Sequence, residues 1–346
     1  MGPLLFLLGL TLLWLLLPLL PALLELFRPR DTKPLEVSDR SVGKVSYFAR
    51  NFRHYLDRVL PPEAGAGDYA AKLLDGTEFV RVNRRADQLA QQGKTENRVV
   101  VLDAPQRLPG DQTYTMEVYA RAALASGAET NYRAVYGEQD LELGERNRVF
   151  RWAHAGGTLS VGPHSILRGR ASANQRVMLD RDVVFERAGA PVIACREARE
   201  PPPVKRQGLR SWNPPPGSRA IGDHVRVEGD LELPRETLVT GSLVVTGRLR
   251  IGAGTLVEGS VKAHGDLDLA DRARVAGAAI TRGRLALGEA AWVGGPAVAE
   301  RAVRLGPNAV VGGPSLPASV CGLEVELGDG ATVYGQISAL RGARTL

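Results

Sequence analysis

The sequence predicts an all-β protein wound as a parallel β-helix with 18-residue coils. Three observations lead there. The first is a repeat in the C-terminal third, with coils starting at Leu231, Leu249, Leu267, Leu285 and Val303, and at Val325 after a four-residue insertion around Cys321–Glu324. The third position of each coil is Leu233, Ile251, Leu269, Leu287, Leu305 and Leu327. The ninth is Val239, Val257, Val275, Val293, Val311 and Val333, and the eleventh is Gly241, Gly259, Gly277, Gly295, Gly313 and Gly335. The second is alternation: apolar residues fall at positions one and three, seven and nine, and thirteen and fifteen, which gives three short strands per coil, each with one face inward. The third is composition, 39 Gly against 7 Phe, 8 Tyr and 4 Trp in 346 residues, which suits many tight turns and disfavours a helical bundle.

The elements follow in chain order. Residues 3–24 carry no charge, and 22 residues at 1.5 Å each span about 33 Å, enough to cross the hydrocarbon core of a bilayer. A transmembrane anchor is expected over 3–27. Only the α-amino group precedes it, whereas Arg28, Arg30 and Lys33 follow, so the positive-inside rule puts the C-terminal bulk in the cytoplasm, on the inner membrane, in a single-pass arrangement.

Residues 28–112 read as a small mixed juxtamembrane region. Tyr47, Phe48, Phe52, Tyr55, Leu56, Val59 and Leu60 recur at helical spacing, with Arg50, Arg53 and Arg58 interleaved, until Pro61 and Pro62 stop the helix. Such a helix either lies on the anionic leaflet or caps the first coil. Strands are expected near Phe79–Val82 and Val99–Leu102.

The 18-residue frame also runs through 113–195. Leu141, Leu159 and Val177 share one position, Leu143, Val161 and Leu179 the third, and Val149, Leu167 and Phe185 the ninth; a degenerate coil starts near Met116. About nine coils in all would stack into a rod on the order of 43 Å. Between the arrays, residues 196–220 hold Pro201–Pro203, Pro214–Pro216 and, over Arg196–Arg219, six basic and two acidic residues. Proline cannot enter a ladder, so this stretch is either an exposed loop within one β-helix or a linker between two. The second array occupies 221–340, and 341–346 remain as a tail.

The valine column reads as an inward stack. The glycine column fits either a turn with φ > 0 or close approach of stacked backbones. The last coil lacks a capping helix, so its end, at Val333 and Ile337, is expected to be exposed and to pair with another copy. Cys195 and Cys321 read as buried thiols.

The run SLVVTGRLRIGAGTLVEGSVKAHGDLDL, Ser242–Leu269, and the coils after it resemble the bactofilins, polymer-forming cytoskeletal proteins of bacteria. The resemblance covers about Gly222–Ala339. It implies a right-handed three-faced β-helix that assembles end to end without nucleotide. It also implies a scaffold in cell shape, envelope synthesis or polar organisation, with self, the membrane and cell-envelope proteins as partners. The membrane span, the extra coils and the Pro-rich segment depart from that pattern.

Enzyme chemistry is the alternative. Left-handed β-helices of hexapeptide acyltransferases also use 18-residue coils, and Ile251-Gly-Ala-Gly-Thr-Leu and Leu305-Gly-Pro-Asn-Ala-Val fit them. The third face breaks the pattern at Ala263-His-Gly-Asp, Thr281-Arg-Gly-Arg and Ala299-Glu-Arg-Ala. His264 is the only His within the main repeat and has no partner in sequence. Asp266, Asp268 and Asp271 could suggest a cation site, but Arg272 and Arg274 follow at once, so solvated turns are the better reading. No catalytic residue, cofactor or metal is assigned, and the net charge of +6 does not argue for nucleic acid.

Overall fold

The computed structural model describes residues 2, 6–7, 10–11, 14, 46–60, 69–82, 94–222 and 224–346. The chain separates into two compact units, Met1–Lys44 and Val45–Leu346. The expected anchor over 3–27 and its basic flank lie outside the described residues, apart from the helical Phe6, Leu7, Leu10, Thr11 and Trp14. Among the described residues no helix is long and apolar enough to cross a membrane.

The second unit is an all-β parallel solenoid of about 14 turns, with one short helix among its described residues. It consists of two stacks. In the first, strands Glu78–Val82, Val99–Leu102, Thr113–Ala120, Asn131–Gly137, Arg148–Ala155, Ile166–Ala173 and Val184–Cys195 pair in parallel, each with the next. The stack therefore begins upstream of Met116. The strands expected near Phe79 and Val99 are its first rungs, and their step is irregular: Phe79 pairs with Val99, whereas Val100 pairs with Val118. Bulges between Tyr114 and Glu117 and between Leu167 and Arg170 break the 18-residue frame again.

The second stack runs through His224–Val227, Ser242–Val245, Val261–Ala263, Ala279–Thr281, Ala297–Ala299, Ala318–Leu327 and Thr332–Thr345. Leu243, Val261, Ala279 and Ala297 hold the 18-residue step, and then Ala297 pairs with Val320. The insertion thus sits mainly before Ala318, in the turn where Gly313 bridges Leu316, and not at Cys321–Glu324. Every member of the valine column, Val239, Val257, Val275, Val293, Val311 and Val333, is buried.

The two stacks meet end to end. Val184–Cys195 closes the first, Thr332–Thr345 closes the second, and these strands pair antiparallel. Both stacks therefore wind towards a shared junction, and one hydrophobic core runs through them. This geometry explains the Pro/Arg-rich segment. A chain that finishes the first stack at the junction must travel back along the second stack to start it at the far side. Arg196 pairs with Asp329 at 2.9 Å, Arg199 donates to Asn308 at 2.9 Å, and Arg274 donates to the Pro203 carbonyl at 2.8 Å. Arg206 then pairs with Glu258, and Arg210–Ser211 joins Thr237–Leu238 in parallel. The partners descend from 329 to 237, and Trp212 packs against the core. Of the two readings left open by the sequence, this is the linker, held along its length.

The helix Tyr47–Val59 lies on the flank of the first stack, not over its end. Val99–Leu102 reads VVVL because both its faces are covered: Val100 and Leu102 face the solenoid core, while Val99 and Val101 meet the helix. Ala49 and Leu56 join Phe79, Tyr119, Tyr136 and Trp152 in that second cluster, with the Phe52 ring 5.5 Å from Trp152. The end strand on this side is Tyr69–Lys72, antiparallel to Glu78–Val82. The second stack also ends in a hairpin, Arg219–Ile221 with His224–Val227.

Candidate functional site

The junction is the feature that distinguishes this chain from a plain solenoid. Its register sets Phe185 opposite Ala343, Ala188 opposite Ile337 and Ile193 opposite Val333. Large side chains face small or medium ones, and all six are buried. Each closing strand is also paired on its other side, Val184–Cys195 with Ile166–Ala173 and Arg176–Leu179, Thr332–Thr345 with Ala318–Leu327 and Val310–Val311. Neither presents a free edge at the junction.

Polar side chains finish the closure. Inside the first stack, the Thr130 N–H donates to Asn147 Oδ1 at 2.8 Å, and the Asn147 N–H donates to Ser165 Oγ at 3.1 Å. The same column continues across the junction, where the Val183 N–H donates to Thr345 Oγ1 at 2.9 Å. Thr345 in turn donates to the Asp180 carbonyl at 2.6 Å. At the other end, the Cys195 N–H donates to the Ala331 carbonyl and the Gly330 N–H to the Cys195 carbonyl, both at 3.0 Å. Residues 341–345, expected as a tail, thus belong to the closing strand.

The expected self-association pair needs correcting. Val333 and Ile337 were placed on an open end, but they are 0% and 1% exposed. The cause is intramolecular: Val184–Cys195 occupies the edge that a second copy would have taken. Cys195 is buried at the same place, and burial pushes its thiol pKa up. Cys321 is half-buried.

The glycine column divides between the two explanations. Gly241 and Gly335 have φ of 86° and 131°, which favour glycine. Gly259, Gly277 and Gly295 are sites of close approach, a Cβ on Gly259 falling 2.4 Å from the Gly241 carbonyl carbon. Gly313 lies outside the stacked column and faces the Pro201 ring.

One device was missed in the sequence. Asp140, Asp230, Asp266 and Asp271 each accept, through Oδ1, the N–H of the residue 18 positions later: Thr158, Arg248, Arg284 and Glu289, at 2.7 to 2.9 Å. The residue 17 positions later is always glycine, Gly157, Gly247, Gly283 and Gly288, because a Cβ there would strike the carboxylate. The signal was the Asp-to-Gly spacing of 17. Asp266 and Asp271 are therefore rung-to-rung staples, while Asp268 sits mid-strand between Arg250 and Ala286. Among the described residues no group of three or more His, Cys, Asp or Glu could hold a metal ion. His264 is exposed at a turn.

A buried histidine lies beneath the helix. His154 is 2% exposed, stacks on Tyr136 at 5.1 Å and meets Ser172 Oγ through Nδ1 at 2.8 Å. Burial, with Arg50 as a lesser cause, lowers its pKa to about 4, so the ring is neutral at pH 7.

No protein-family model, no curated protein and no solved structure matches this chain.

Proposed function

We propose that this chain is a membrane-anchored, bactofilin-like scaffold that does no chemistry of its own, its coils right-handed in keeping with the general rule for parallel crossovers. The observation that carries the reading is the antiparallel pairing of Val184–Cys195 with Thr332–Thr345, which joins two solenoids through one core. A protein so built resists bending at its middle, which suits a spacer or a support. The polar turn residues support the same reading, since Asp140, Asp230, Asp266 and Asp271 are engaged in holding rungs together.

Self-association in this proposal falls to the outer ends, at Tyr69–Lys72 and Arg219–Ile221, because the inner ends hold each other. The uncharged stretch 3–24 would tether the assembly to the inner membrane, with the solenoid in the cytoplasm and cell-envelope proteins as partners. Electron microscopy of the full-length chain in detergent tests this. Rods that join end to end as concentration rises are expected. Single particles at every concentration, or binding of acetyl-CoA by calorimetry, would overturn the scaffold reading.

A further inference from the structure

The three turns that break the hexapeptide pattern stack at one corner of the second solenoid, and apart from the Asp266 staple the scaffold reading leaves them unused. Ala263, Thr281 and Ala299 pair in successive rungs, so the residues that follow them, His264, Arg282 and Glu300, form a column with steps of about 4.8 Å. The next column is Gly265, Gly283 and Arg301. Arg248 and Asp266 precede the paired Leu249 and Leu267 and form the opposite wall. Between the walls lies a cavity of about 490 Å³. Its floor is bare because it is glycine, and the floor cannot be otherwise: a Cβ on Gly265 would lie 2.9 Å from the Arg248 nitrogen, and one on Gly283 would lie 2.2 Å from Asp266 Oδ1.

The charges around this floor do not cancel. Three guanidiniums and an imidazole face two carboxylates. Asp266 already accepts the Arg284 N–H at 2.8 Å, and Glu300 stands 4.0 Å from Arg282 in an exposed pair that water screens. Among the described residues no carboxylate pairs with Arg248 or Arg301. Guanidinium forks match the oxygens of a tetrahedral anion, and a floor without side chains lets such an anion come close to the backbone.

We propose that this corner is a binding site for a phosphate-bearing anion, gripped by Arg248 and Arg282 with Arg301 and His264 at the rim. The phosphate could be free or part of a lipid headgroup; the chemistry of recognition is the same.

The test uses the full-length chain in an uncharged detergent at low ionic strength. Titration with inorganic phosphate, followed by calorimetry and by the NMR signals of the His264 ring, should saturate with a Kd of about 1 mM or tighter. Arg248→Gln combined with Arg282→Gln should weaken binding roughly tenfold or more without changing the melting temperature. Arg301→Gln serves as a second variant, and Lys262→Gln, exposed on the adjoining strand, should bind as the parent does. Dihexanoylphosphatidylglycerol below its micelle concentration separates the sources. Saturation by phosphate alone supports a free dianion, and saturation by the lipid supports a headgroup site. No saturable response to either probe, or an unchanged response in both variants, would overturn the proposal.

Discussion

The backbone N–H of Val183 donates to Thr345 Oγ1, 162 residues further along the chain. Thr345 does there what Ser165 and Asn147 do two and three rungs earlier, supplying a side-chain oxygen to the N–H stacked against it. The second half of the chain thus acts as the next rung of the first. Thr345→Val should leave a buried N–H unsatisfied and lower stability by about 1–3 kcal/mol. Urea denaturation followed by circular dichroism would measure it, and a change below about 0.5 kcal/mol would mean that water replaces the hydroxyl.

Val333→Lys and Ile337→Lys should act on folding, not on assembly. Each puts an unpaired charge into the continuous core, at a cost of several kcal/mol. Thermal melts should fall sharply for both, and Ile193→Lys, on the facing strand, should match them. Val275→Asp, mid-stack and also fully buried, offers a comparison away from the junction. If the junction variants lost only a higher oligomer while melting as the parent does, the pairing of the two halves would be wrong.

His154 makes stability depend on pH in a defined window. Its pKa is about 4 when folded against an ordinary 6.5, so between those values the unfolded chain binds the extra proton. The neutral ring's contribution is therefore fully present above pH 6.5 and is lost as pH falls towards 4, by about 3 kcal/mol in all. His154→Phe keeps a ring beside Tyr136 and should flatten the stability curve between pH 6.5 and 5, where few carboxylates titrate. A slope that survives the substitution would place the pH dependence elsewhere.

The aspartate staples predict a coupling. Gly283→Ala should cost about 1–3 kcal/mol because its Cβ meets Asp266 Oδ1, and Asp266→Ala should cost about 1 kcal/mol for the lost hydrogen bond. In the double variant the contact with the carboxylate is gone while those with the residue 266 backbone nitrogen and Cα, at 2.8 and 2.9 Å, remain, so the two costs should fall short of adding without the glycine's cost vanishing. A double-mutant cycle in urea would show this, and strict additivity would separate the glycine from the aspartate.

The coil itself was legible from residue spacing because inward positions repeat in chemistry as well as in period. Val257, Val275 and Val293 sit on one another, and each is replaced by its like 18 residues on. The first rungs were less legible for two reasons. Phe79 pairs with Val99 at a different step, and the outward side of Val99–Leu102 is as apolar as the inward side because a helix covers it. The junction was not legible at all. Val333 and Ile337 announce that they point inward, but an inward residue looks the same whether its neighbour is the next coil, another copy or the other half of its own chain. The staples lay in plain view as Asp and Gly 17 apart, hidden because a turn aspartate has so many ordinary uses.

The strap that carries the chain from Arg196 to Arg219 has one more consequence. It crosses no core of its own, and the ladder between Val184–Cys195 and Thr332–Thr345 does not depend on it. A protease that nicked it at Pro203 would leave two polypeptides with no reason to part. The covalent thread supplies proximity, a high effective concentration of each half for the other, and the adhesion comes from the seam.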